Sequence, residues 1–520
     1  MKRSIRFGLL FGFAFLASCV SARCETVDGF VTSLNSPNDF YLGALHVAVA
    51  PRATCSTERF KYQVTTKPKS RYLLFATFHF ALREHPVPAS MTPAPCDSLN
   101  LHLGSRVSLV GQGGAPGDFT ANSIVVWLVQ DQIANFRKSP EKLEGGAIIE
   151  EPPDVHRTAQ GWAGHLWLDG YPLSLSSQIA LLTAPAETDI VFDFSGWAGL
   201  PRYFATPKPP SSAQPVSADL FRVNSSVIYH ALRTPNDRIS ATRLRLWPNE
   251  ISDGETKYRK AATVIVQPPS YQPAIAGKVS FQYRKSLEIL PDQAVQDWVS
   301  SLGNELVPPY QRSLPKSDPT KIDFRFYVVR GSQSALTDAS ISVGGLRFRE
   351  RPTIEDAAIA MPDGLVFIPD STLSRIRNSA QMAAILSYAI TTVLQKHAYL
   401  TSRSLRNSGA VGDWTPYYAF AILKDEQALR IGIRQMYLAG YDIREAPFGW
   451  ALAAGKTVAN PLIDPAPPNN QIPWYTTYAF NYISQFYSDV DYSKLKRGER
   501  EYAQFLDELR KADPEAFDNK

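Results

Sequence analysis

From Ser379 to Gln395 the chain carries no charged residue, no Pro and no Gly, and Asn378 stands just before it. Asn is a good helix N-cap because its side chain accepts a backbone N–H that the first turn leaves unpaired. The pattern predicts a helix that is apolar nearly all round, and such a helix must be buried. It is too short and too polar to cross a bilayer. A helix of this kind at the centre of a domain is either plain core or the rod that carries a site.

The flanking segments favour the second role. DFRFYVV (Asp323 to Val329) reads as a strand, AIAMPDGLVFIPDSTL (Ala358 to Leu373) follows, and DEQALRIGIRQMYLAGYD (Asp425 to Asp442) lies downstream of the helix. Together they resemble the zinc metallopeptidases that include HtpX, BepA and the CAAX prenyl proteases. In that family a NAFALPGG-like segment precedes a helix with HExxH, and a helix with ExxAD follows. Ala360, Pro362 and Gly364 match the first segment; Asp425, Ala428, Gly432 and Ala439-Gly440-Tyr441-Asp442 match the last. The resemblance covers roughly residues 286–444. It implies a mainly helical, zincin-like domain over 284–520.

The family's chemistry does not carry over. The alignment places Tyr388-Ala389-Ile390-Thr391-Thr392 on HExxH and Asp425 on the third ligand. Residues at i and i+4 share a helix face and can hold one ion. Here that face offers a phenol and a neutral hydroxyl, which zinc does not favour over imidazole, thiolate or carboxylate. Ala389 cannot act as a general base. His397 lies five residues past Thr392, roughly 140° away around the helix. It is the only His after His230, and no Cys follows Cys96. Tyr388, Ala389, Thr392 and Asp425 are therefore vestigial positions. No cofactor is expected, with zinc only if Asp425, Glu426 or His397 serve as atypical ligands.

The first residues read as a secretion signal over 1–22. Lys2, Arg3 and Arg6 precede an apolar run from Phe7 to Leu16. Leu16-Ala17-Ser18-Cys19 resembles a bacterial lipobox, which would lipidate Cys19; cleavage after Val20-Ser21-Ala22 is the other reading. The lipobox implies a protein on the periplasmic face of the cell envelope, held by acyl chains alone. Of the four Cys, an oxidising compartment allows Cys55 to pair with Cys96; free thiols are the alternative.

Two β modules fill the space between. Residues 25–135 hold short β-prone runs such as FYLG and SRVSLVG, split by Pro and Gly turns. Residues 140–267 hold more, including GWAGHLWLDGYPLSL and SVIYHAL. TANSIVVW (Thr120 to Trp127) and SATRLRLW (Ser240 to Trp247) form a faint repeat and predict the final strands of two similar OB-like barrels. His79, His85 and His102 match no metal spacing. TPKPPSSAQP (Thr206 to Pro215) reads as a loop, and 268–283 as a linker. Trp162, Trp167 and Tyr171 form either a binding face or half-buried core, and so do the aromatics from Trp474 to Tyr487.

The net charge of +5 over 520 residues does not argue for nucleic acid, and no nucleic-acid motif occurs. The whole reads as a multidomain β plus α+β protein. Three functions fit: a catalytically inactive binding or scaffolding lipoprotein with an envelope protein or peptide as partner, an active metallopeptidase with unusual ligands, or a glycan-binding protein acting through the β modules.

Overall fold

A computed structural model describes residues 25–42, 45–65, 83–99, 101, 105–115, 117–129, 141–183, 217–233, 239–247, 251, 253–262, 264–268, 277–281, 286–331, 357–402, 415–453, 474–487 and 489–517. The expected signal segment, Cys19, Cys24, His79, His102, the loop 206–215 and the Pro-rich stretch 461–473 lie outside them. Two compact units form: residues 1–132 with 458–472, and residues 133–457 with 473–520.

The first module has seven strands: β1 (Glu25–Phe30), β2 (Ser33–Ser36), β3 (Asp39–Leu42), β4 (Leu45–Thr65), β5 (Arg83–Ala94), β6 (Arg106–Gly113) and β7 (Asp118–Val129). They pair in the order β1-β6-β7-β4-β3-β2, with β5 on β4. The second module has β8 (Glu141–Ile148), β9 (Asp154–Thr158), β10 (Gly161–Leu168), β11 (Tyr171–Thr183), β12 (Ser226–Arg233) and β13 (Ile239–Trp247), in the order β8-β12-β13-β11-β10-β9.

With β5 set aside, these are the same path strand for strand. β4 runs parallel to β7, as β11 does to β13. The register breaks between Val49 and Thr54 on β4, and between Leu175 and Ala180 at the matching place on β11. It breaks again at Val110/Gly111 on β6 and His230/Ala231 on β12. Bulges are designed features of a sheet. Two of them in matching places show that the short repeat of Thr120–Trp127 and Ser240–Trp247 extends over the whole module.

Neither path of pairing closes into the expected barrel: each order has two ends. The ends of the first sheet, β1 and β2, are consecutive segments of one stretch of chain. Between them Val31 N–H donates to Ser105 O and Thr32 N–H to Tyr41 O, both at 2.8 Å. The first stretch is thus split between two neighbours. In the second module Ile149 N–H donates to Ser225 O at 2.9 Å at the corresponding corner. Apolar side chains alternate inward in both, with Phe40, Val47, Leu109 and Ile124 in one core and Leu166, Leu173, Tyr229 and Leu244 in the other.

A disulfide joins Cys55 to Cys96, with Cα atoms 5.1 Å apart. On the rim of the first module His46 sits between two carboxylates, Nε2 at 2.9 Å from Asp39 and Nδ1 at 3.0 Å from Asp118. The Asp39 contact, then the Asp118 contact, raises its pKa above the ordinary histidine value. For a raised histidine the stabilisation is complete below pH 6.5 and is lost as pH rises through the folded-state pKa. An NMR titration of His46 is expected to give a midpoint above 6.5; a midpoint at or below it would contradict the bridged geometry.

The remaining chain combines a small sheet with helices. β14 (Ile265–Gln267), β15 (Lys278–Ser280) and β16 (Ser286–Glu288) form one ribbon; β17 (Arg325–Val329), β18 (Ile359–Ala360) and β19 (Leu365–Pro369) form another. A bridge between Ile289 and Val329 links them. β15 falls inside the stretch expected as a linker, because it pairs with β14 and β16. The helices are α1 (Asp253–Ala261), α2 (Gln293–Leu306), α3 (Pro309–Ser313), α4 (Asp370–Leu373), α5 (Ser379–Leu394), α6 (Thr415–Leu438), α7 (Ala446–Ala453), α8 (Trp474–Phe486) and α9 (Glu499–Ala512). Gln296 fixes α2 to the sheet, donating to Leu290 O and Val328 O and accepting Val328 N–H, all at 2.9 Å. Among the described residues no helix is long and apolar enough to cross a membrane.

Candidate functional site

Helix α5 is the buried helix that the sequence predicts. Asn378 caps it, its side-chain oxygen accepting the Gln381 N–H at 2.8 Å. Every residue of α5 except Thr392 is buried. The helix ends where Lys396 takes a left-handed backbone, φ 56°. Trp450 on α7 donates its indole N–H to Ala384 O at 3.0 Å and so closes one side. On another side α6 approaches closely at Gly432, where an added Cβ would lie 3.4 Å from Tyr388 N. An alanine would make ordinary van der Waals contact there, and only a side chain longer than that would push the two helices apart.

That approach brings together two of the positions read from the sequence as vestigial. Tyr388 Oη donates to Asp425 Oδ1 at 2.9 Å. The tyrosine is 3% exposed, and its ring meets Trp450 edge-on. Thr392 turns back on its own helix, Oγ1 donating to Ala389 O at 2.7 Å. Ala389 itself is a buried methyl. So the i and i+4 positions do not converge on a common point: one serves α6 and the other serves α5. The matched segments at either side have structural duties. Gly364, φ 93°, turns the chain between β18 and β19. Gly440, φ 79°, ends α6, with Tyr441 N–H reaching back to Met436 O. Asp442 then caps the next turn and pairs with Arg444.

His397 belongs to a different group of residues. Its Nε2 lies 2.8 Å from Gln427 Oε1, and the Gln427 amide donates to Asp169 Oδ1 at 2.9 Å and Gly146 O at 3.1 Å. Asp169 and Gly170 form the β10–β11 turn, both with positive φ, 59° and 74°. This turn is pressed against α6. Asp169 also accepts Tyr229 Oη and the guanidinium of Arg430, whose Nε donates to Asp169 O at 2.8 Å. Arg430 further contacts Tyr478 on α8, and Tyr482 donates to Gly170 O. Burial pushes two carboxyls beside this cluster, Glu150 and Glu426, up to about 7.

The aromatic candidates are consumed by the same interface. Arg434 lies 3.3 Å over the Trp167 ring, and Arg430 lies 4.6 Å over Tyr171. Trp162 packs on Phe221 within its own module. On α8 the side chains of Tyr475, Phe480 and Tyr482, and of Tyr487 just beyond it, are buried. None of these forms an open groove. Sequence reasoning singled out these rings but missed Asp169 and Arg430, the charges that lock them. The only signal was the Asp-Gly pair in LWLDGYP, which marks a tight hairpin and not its partner. Compared with known proteins, the chain matches no family model and no curated protein.

Proposed function

We propose that this chain is a catalytically silent, zincin-like binding or scaffolding protein of the bacterial cell envelope, carried on two OB-like modules and anchored through Cys19. The observation that carries this reading is the Tyr388–Asp425 hydrogen bond at the positions where the related metallopeptidases hold zinc. A phenol bonded to a carboxylate is satisfied without an ion, and zinc would have to displace that bond to gain a poor ligand. Ala389 offers no base to activate water, and Thr392 is turned away from Asp425's partner. His397, the one imidazole of the domain, is held by Gln427. The OB-like reading draws on the split first stretch and the parallel β4–β7 and β11–β13 pairings, which suit a partly open Greek-key barrel. Extended peptide or an envelope protein is the partner class that the resemblance favours.

The test uses the full chain, because the helical part shares a buried interface with the second module. After zinc loading and dialysis, mass spectrometry is expected to find less than about one zinc per ten chains. Saturable, chelator-insensitive binding of a reduced and carboxymethylated unfolded polypeptide is the expected positive result. Zinc near one per chain, with hydrolysis that a chelator stops, would overturn the proposal.

A further inference from the structure

We propose that the buried carboxyl pair Asp370–Asp513 is a proton-operated clasp: one shared proton holds the C-terminal turn, residues 513–517, against α4, and losing it releases that turn. Asp370 opens α4 and Asp513 follows α9; both side chains are almost fully buried and hydrogen-bonded to each other. Two carboxylates in contact cannot both be ionised without strong repulsion, so the contact requires a proton.

The roles within the pair follow from their other partners. Asp513 accepts the Glu515 N–H at 3.1 Å and forms an ion pair with Arg330, Nη1 at 3.5 Å. It is the acceptor. Asp370 accepts the N–H groups of Gly331, at 3.2 Å, and Ser371 but pairs with no cation among the described residues, and it is the group that keeps the proton. Desolvation and the Asp513 contact raise its pKa to about 7. The charged groups that face the pair among the described residues are Arg330, next to β17, and behind it Glu288 on β16, which takes Arg330 Nε at 3.1 Å. Arg330 is thus shared and does not neutralise a second carboxylate.

What the proton holds is visible beside it. Ser374 Oγ donates to Ala516 O at 2.7 Å, and Tyr502 Oη donates to Leu373 O at 2.8 Å. The first of these bonds ties the turn to the residue after α4; the second ties α9 to α4 itself. In the released state Asp370 meets water, and its pKa returns to that of an ordinary aspartate. The raised folded value therefore stabilises the docked turn most at low pH. The stabilisation is lost as pH rises from about 4 through about 7, and it is flat above.

Hydrogen–deuterium exchange on the full chain, corrected for intrinsic rates, reads this directly. Protection of residues 513–517 is expected to fall about tenfold or more between pH 5 and pH 7.5, since one pKa unit corresponds to a factor of ten. In Asp370→Asn the amide donates in place of the protonated carboxyl, so protection stays high and independent of pH. Asp513→Asn removes the repulsion and is also expected to flatten the profile, which keeps the test open if the first variant fails to fold. Unchanged wild-type protection across that range, or an Asp370→Asn profile that still falls like wild type, would overturn the clasp.

Discussion

Replacing Arg430 by Ala is expected to destabilise the second compact unit by about 3–5 kcal/mol, the range for removing one partner of a buried ion pair. Arg430 is 5% exposed and Asp169 6%. Without the guanidinium, Asp169 keeps Tyr229 and Gln427 but loses the one cation paired with it among the described residues. A buried carboxylate with no counter-charge is the costly outcome, more than the lost attraction itself. The Arg430 stem and its contact over Tyr171 go as well. Lys is not a rescue, because one ammonium cannot replace a fork that reaches the Asp169 carbonyl, its carboxylate and Tyr478 together. Removing the charge from both sides, as Arg430→Met with Asp169→Asn, is expected to recover part of the loss; Asn tolerates the left-handed backbone of this turn. Urea unfolding midpoints at constant slope check it. A loss under about 1 kcal/mol for Arg430→Ala would mean that water enters the interface and the cluster is not sealed.

The second large effect concerns the first unit. Cutting the Cys55–Cys96 bond, by reduction or as the double Ser variant, is expected to lower its stability by about 4 kcal/mol. That figure follows from the chain entropy of a loop with a sequence separation of 41 residues. The bond anchors the turn Cys96–Ser98 to β4, next to the inward-facing Leu99 and Leu101. Without it the long β4–β5 excursion is held by strand pairing alone. Exchange in α5 is expected to stay unchanged, since α5 belongs to the other compact unit. Equal loosening of α5 on reduction would show that the two units unfold together.

How far the sequence spoke for this arrangement differs from feature to feature. The central helix was readable because an uncharged run with an Asn before it has few other solutions, and the cap forms at that residue. The duplicated module was readable from eight residues in each copy. An alternation of apolar and polar residues that ends in Trp occurs in both β7 and β13. Barrel closure was not readable, since it depends on where a single stretch divides between two neighbours. The Tyr388–Asp425 contact joins two positions that the sequence had singled out for another reason, and it exists because α5 and α6 pack side by side. The Asp169–Arg430 lock was not singled out. Single charges on a hairpin turn and on a helix are ordinary surface residues in sequence, and only the packing of α6 on the second module makes them core. The Asp370–Asp513 contact escaped for the same reason: each Asp reads as a helix-boundary residue.

The hairpin turn that docks on α6 also sets a timetable. Asp169 and Arg430 are 261 residues apart in sequence. At ordinary rates of protein synthesis, about 5–20 residues per second, the arginine emerges about 13–50 s after the aspartate. For that interval the second module can form its own sheet, but the rings of Trp167 and Tyr171 stand uncovered and Asp169 stays hydrated. The sheet's end therefore has to tolerate water first and exclude it later. A charged turn suits both conditions: it keeps an unfinished surface soluble, and it becomes adhesive only when the matching helix arrives.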